Sequence, residues 1–136
     1  MLKETELRIG NFVEWPDSSK EQVRVDTISS DALDKPEHIM WFINGEWIED
    51  FIPIPLSRKW FESFGFGYDS KNFEFVYVDE DNGVLICIDD TVDFVNMPLH
   101  YYNLPKEHGS CLGYVDYVHQ LQNWIFILTG KELELR

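Results

Sequence analysis

Residues 114–136, YVDYVHQLQNWIFILTGKELELR, hold a helix start, an apolar face and a stop within one short stretch. Tyr117, Val118, Leu121, Trp124, Ile125 and Leu128 recur at three- and four-residue steps, the period that places side chains on one stripe of an α-helix. Asp116 is expected in the first turn, where a carboxylate meets the positive end of the helix dipole. Gly130 is expected to end the helix in the left-handed conformation, with Lys131 near the negative end. About fourteen residues would give roughly 21 Å of helix, enough to cross a small sheet. His119, Gln120, Gln122 and Asn123 fall between the apolar positions. Ile125, Phe126, Ile127 and Leu128 make the last turn apolar nearly all round, which predicts an enclosed end. Glu132, Leu133, Glu134 and Leu135 then alternate as an edge strand would.

The N-terminal part reads as short strands. Gly10 and Asn11 bend the chain into a strand at residues 12–15, and 16–19 form a turn cluster. Val23, Val25 and Ile28 alternate with polar residues, the pattern of a half-buried second strand. A polar loop runs through Asp34, Lys35 and Pro36. Residues 38–43 and 46–51 are a hairpin about Asn44 and Gly45, a dipeptide that suits a tight two-residue turn. Short strands joined this way suggest a small curled antiparallel sheet, SH3-like in outline. Pro53 and Pro55 make a stiff connector, because proline cannot donate to a sheet ladder.

Beyond that seam, Ser57 is expected to cap a short helix with Trp60, Phe61 and Phe64 on one side and Gly65 at its end. Residues 73–78 and 84–89 form a hairpin about the Asp79–Gly83 turn, residues 92–97 add a strand, and 98–113 are mostly loop. The expected core joins the C-terminal helix to Phe64, Phe73, Phe75 and Val84. The fold class is α+β, with a small β lobe at 1–56 and an α+β lobe at 57–136 that together make one compact unit.

Charge sets what the surface can meet. The 136 residues include 25 Asp and Glu against 11 Lys and Arg, a net charge of −14. Nucleic-acid backbones are bound by clustered Lys and Arg that release counterions, and no such run exists here. An anionic membrane surface is disfavoured for the same reason. No run of about eighteen apolar residues offers a membrane-spanning helix. The N-terminus shows no apolar core of signal-peptide length. Cys87 and Cys111 are the only cysteines and form no disulfide framework, which suits the reducing cytoplasm.

No motif supplies chemistry. His100, His108, Cys111 and Cys87 lack the paired spacing of a zinc site. Cys111 could serve as a nucleophile with His108 or His119 as base and Asp116 as orienter, but no elbow or oxyanion-hole sequence accompanies it. The turn Asp79-Glu80-Asp81-Asn82-Gly83 lacks the twelfth-position glutamate of a calcium loop. Asp89, Asp90 and Asp93 read as a strand end and a turn. No cofactor and no catalytic residue is assigned. Between residues 72 and 116 carboxylates far outnumber bases, and Tyr101 and Tyr102 sit in what reads as a proline-bounded loop. The candidate partner surface is therefore Tyr101, Tyr102 and Glu107 with Asp79, Glu80 and Asp81, the aromatics as anchors and the acids as steering charges.

Three segments carry a resemblance. YVHQLQNWIFILTGKEL at the C-terminus, LRIGNFV near the start and PIPLS before Trp60 resemble an uncharacterised family of small Bacteroidales proteins often found in prophage or mobile-element regions. That family has no established activity, so the resemblance implies an origin and no site. The expected function is a non-enzymatic cytoplasmic interaction protein with an unidentified protein partner. One alternative is an acidic nucleic-acid mimic that inhibits a host DNA-binding protein, which would need the carboxylates along one face. The other is a small Cys-dependent hydrolase.

Overall fold

The computed structural model describes residues 11–14, 22–25, 28–31, 40–43, 46–48, 52–91, 93–104 and 109–135. The chain divides into two compact units, Met1–Ile54 and Pro55–Arg136.

In the first unit, β1 (Phe12–Glu14) and β2 (Gln22–Arg24) pair antiparallel with Val13 opposite Val23. Val13 and Val25 are buried. The Val25 N–H donates to the Asn11 carbonyl at 2.7 Å, and Glu14 and Ile52 exchange two backbone hydrogen bonds at 2.8 and 2.9 Å. A second antiparallel sheet contains β3 (Ile28–Asp31), β4 (Met40–Ile43) and β5 (Glu46–Ile48). The alternating run expected as one strand through Val23, Val25 and Ile28 is thus two strands in different sheets. The turns at 16–19 and 44–45, and Trp15, lie outside the described residues.

The second unit opens with Pro55 paired to Tyr117, the Leu56 N–H donating to the Asp116 carbonyl. Helix α1 (Arg58–Ser63) follows, entered at Ser57 and left through Gly65 at φ 85°. Ser57 makes no side-chain cap bond; its carbonyl accepts from Trp60 and Phe61. Then come β6 (Gly67–Asp69), β7 (Glu74–Asp79), β8 (Val84–Asp89), β9 (Met97–Asn103) and β10 (Gly109–Val115), a five-stranded antiparallel sheet in the order β10-β9-β8-β7-β6. Helix α2 (Val118–Thr129) ends the described fold.

Side chains alternate across a strand, so register sorts them by face. Phe75, Ile88 and Leu99 are direct neighbours across β7, β8 and β9, and Val115 is paired with Met97. These residues are buried with Val118, Leu121 and Ile125 of α2. A Cβ added at Gly113 would lie 2.8 Å from the Trp124 indole, which places α2 on this face. Aromatics extend the core beneath β6 and β7. Phe61 stacks on Phe75 with centroids 4.1 Å apart and planes 5° apart, and Phe66 meets Phe61 edge-on at 5.2 Å.

Local chemistry at the helix ends departs in part from the expected caps. The helix starts at Val118, so Asp116 lies outside the first turn. Gln120 reaches back instead, its Oε1 accepting from the Asp116 and Tyr117 N–H groups at 2.9 and 3.2 Å. Gly130 ends the helix as expected, left-handed at φ 73°, its N–H donating to the Phe126 carbonyl.

Other expectations are corrected. Residues 98–113 contain most of β9 and β10 rather than loop, and 132–135 form no strand. The last turn of α2 is not enclosed, for Phe126 and Ile127 are exposed; His119 and Gln122, between the apolar positions, are buried instead. Phe73 is outside the core, exposed at a turn. One covered face cannot take every aromatic that a strand-like sequence offers it.

Leu121 is wholly buried at the centre of this interface. Leu121→Ala is expected to cost about 2–5 kcal/mol in urea unfolding. An unchanged denaturation midpoint would remove α2 from the core.

Candidate interaction surface

An antiparallel meander sends alternate connections to opposite ends of its sheet. The β7–β8 and β9–β10 connections lie at one end; the β6–β7 and β8–β9 connections lie at the other.

The first end carries Asp79, Glu80 and Asp81. Asp79 is not a surface acid: its side chain is fully buried and both oxygens are used. Lys131 Nζ donates to Asp79 Oδ1 at 2.7 Å and to Asp81 Oδ2 at 2.8 Å. Asn82 Nδ2 donates to Asp79 Oδ2 at 2.7 Å and to the Thr129 carbonyl at 3.1 Å. The turn is thereby fastened to the C-terminus of α2. The hydrogen bond from Lys131, with that from Asn82, holds the Asp79 carboxyl below its usual pKa, and the two carboxylates raise that of Lys131. Glu80 is exposed and Asp81 is exposed but paired; Glu107 lies outside the described residues.

Tyr101 and Tyr102 occupy strand β9, not a loop, and both are half-buried. They point to opposite faces, Tyr101 beside Ile86 and Tyr102 beside Leu85. The Tyr102 ring covers Gly109 on β10, where a Cβ would overlap it at 2.0 Å. A glycine beneath an aromatic ring lets the strands approach while the ring stays packed. The expected anchors are thus parts of the sheet, and they do not form one joint surface.

Cys87, His100 and Cys111 stand in one cross-strand row on β8, β9 and β10. His100 Nε2 is 3.2 Å from Asp89 Oδ2. Cys111 is exposed, and its thiol donates to the Gly113 carbonyl at 3.8 Å rather than to an imidazole. His119 belongs to α2 on the opposite side of the sheet, so it cannot serve as base for Cys111; His108 lies outside the described residues. The two thiols sit two strands apart, about 9–10 Å, beyond disulfide reach. Among the described residues no group of three His, Cys, Asp or Glu side chains is placed to hold a metal ion.

The second end was not singled out by the sequence. Asp69 ends β6, Asp89 ends β8, Asp90 and Asp93 lie in the connection after it, and Asp116 follows β10. Asp69 organises the β6–β7 turn, its carboxylate accepting from the Lys71 and Asn72 N–H groups and from Asn72 Nδ2. Asp90 accepts from the Tyr68 hydroxyl at 2.8 Å, which raises the phenol's pKa. The Asp90 N–H in turn donates to the Phe73 carbonyl, joining the two connections. Phe73, Phe94 and Asn96 all have left-handed backbones, at φ 53°, 54° and 52°. Phe94 tucks its ring 6.2 Å from Phe75, whereas Phe73 is 65% exposed, and Val95, in the β8–β9 connection, is 52% exposed. Asp, Gly and Asn in a turn are a legible signal; a phenylalanine taking the left-handed position is not.

No protein-family model matches this chain, and no curated protein or solved structure matches it.

Asp79 carries a pH dependence whose sign follows from its lowered pKa. Its contribution is complete above the unfolded carboxylate value, about 3.9, and is lost as pH falls through the still lower folded value. The Tm of Asp79→Asn should therefore lie below that of the parent at pH 7, and the gap should narrow as pH falls below the unfolded carboxylate value. A gap independent of pH would show that the charge is not what matters. Tyr102→Ser should lower Tm by uncovering Gly109; an unchanged Tm would make the ring a surface group.

Proposed function

We propose that this chain is a non-enzymatic interaction protein of prophage or mobile-element origin, acting in the cytoplasm on a partner protein. The observation that carries this reading is the exposure of large apolar side chains on the second unit, Phe73 and Val95 among them, in a chain that is otherwise strongly acidic. Where exposed apolar groups are contiguous and rimmed by polar ones they mark contact surfaces. Their burial in a complex supplies affinity, while the net charge of −14 governs encounter and rejects other polyanions.

The same charge disfavours direct binding of nucleic acid or an anionic membrane. No described helix is long and apolar enough to cross a membrane. A cytoplasmic setting suits two thiols held apart on separate strands. A nucleic-acid mimic would array carboxylates along one face, whereas the acids of the second unit gather at two ends of the sheet. That arrangement favours a partner read by shape and apolar contact.

Immobilised full-length protein should retain one host protein in stoichiometric amount from lysate at low salt, with slower association at high salt. Retention of nothing at either salt would remove the reading.

A further inference from the structure

The two edges of the five-stranded sheet are built differently. At one edge, β6 has three residues and carries Asp69, so its border is short and charged. At the other, β10 has seven residues, GSCLGYV, with no Pro and no Asp, Glu, Lys or Arg. An edge is guarded by shortness, charge, proline or a bulge, because its outward N–H and C=O groups template another strand. β10 keeps only the last of these, a bulge at Leu112, which the register with β9 skips. Among the described residues no strand pairs with its outer edge. In a strand paired on one side, about every second residue turns its N–H and C=O away from the partner. Aromatic side chains flank this edge on both faces. A Cβ added at Gly113 would lie 2.8 Å from the half-buried Trp124 indole, on the α2 face. Tyr114 is opposite Pro98 on the other face and is 60% exposed; Leu112 is 40% exposed.

We propose that the open edge of β10 accepts an extended segment of a partner protein as a sixth strand, one in which aliphatic residues alternate with Lys or Arg. This rests on the interaction reading above and specifies its site. An outward row of amides is met by another extended backbone, so the occupant is a strand and not a helix. Main-chain hydrogen bonds supply the pairing, and alternate side chains choose the segment. The residue opposite Gly113 points to the α2 face, where an aliphatic chain packs on Trp124. Its neighbour points the other way, where a cation meets the Tyr114 ring. Charge complementarity completes the choice. The net charge of −14 draws in a basic segment and repels an acidic one or a second copy of this chain.

The test uses the isotope-labelled full chain and an acetylated, amidated peptide of alternating valine and lysine. One control peptide carries glutamate for lysine. The other keeps every side chain but is N-methylated at its central amides, which removes donors from both of its edges. The expected result is saturable shifts of the Gly109–Val115 amides and the Trp124 indole N–H, with alternate β10 amides slowed in hydrogen exchange. Both controls should bind weaker by tenfold or more. Ser110→Lys and Leu112→Lys replace exposed side chains on the edge, so each should keep the parent's Tm and lose peptide affinity at least tenfold. Equal binding of the methylated peptide would mean that charge alone attracts it, which overturns the proposal; this comparison is made on the parent and decides even if a variant unfolds. Shifts centred on β6 or on Asn82 and Lys131, with β10 unmoved, would overturn it too. So would concentration-dependent β10 shifts without peptide, which would mark a second copy as the occupant. If Leu112→Lys captures the same lysate protein as strongly as the parent, this edge is wrong and the interaction reading stands. If the parent captures none, that reading fails.

Discussion

Burial of one stripe of α2 against one face of the five-stranded sheet is the contact on which the second unit depends. Val118, Leu121 and Ile125 leave water together with Phe75, Ile86, Ile88, Met97 and Leu99. Each such side chain contributes about 1.5–3 kcal/mol on burial, more than a typical uncharged hydrogen bond. The polar contacts decide how the helix is seated. Gln120 satisfies N–H groups at its start, Gly130 turns the chain at its end, and Lys131 and Asn82 tie that end to the β7–β8 turn. A buried carboxylate such as Asp79 costs desolvation energy that its partners must offset. The clasp therefore specifies position more than it adds net stability.

The same topology distributes the surface. Because the strands run up and down in sequence order, the connections segregate to two ends, and the acids go with them. One end is consumed by the clasp, its buried aspartate serving the fold. At the other, Asp69 accepts from backbone N–H groups, Asp90 from the Tyr68 hydroxyl and Asp89 lies 3.2 Å from His100, and among the described residues the backbone takes three left-handed conformations outside glycine. Asn96 tolerates this conformation, but at the two phenylalanines strain of this kind costs about 1–3 kcal/mol each. Phe94 and Phe73 show the contrast. Both pay for the same backbone, but only Phe94 turns its ring toward the core.

Some errors of sequence interpretation share one cause. Pro98, Gly109 and Gly113 make residues 98–113 look like loop, because glycine and proline weaken a strand. Here Tyr102 covers Gly109 and Trp124 covers Gly113, so side chains from other elements fill the space the glycines leave. Phe73 looked like the first residue of a strand; the strand begins at Glu74, after a turn shaped by Asp69. Asp116 looked like a helix-start acid, and its carbonyl is instead occupied by Leu56.

The amino-acid order alone determined the α2 stripe and its Gly130 stop, the α1 aromatics, the hairpin about Asp79–Gly83 and the α+β class. Those rest on periods and turns that act within a few residues. Only the tertiary structure decided that His119 and Gln122 are buried, that Tyr101 and Tyr102 face apart, that Asp79 is internal, and that Phe73 stands exposed at a turn. These are consequences of which face another element covers and which turns share an end of the sheet. Both are relations between residues far apart in the chain, and no local pattern encodes them.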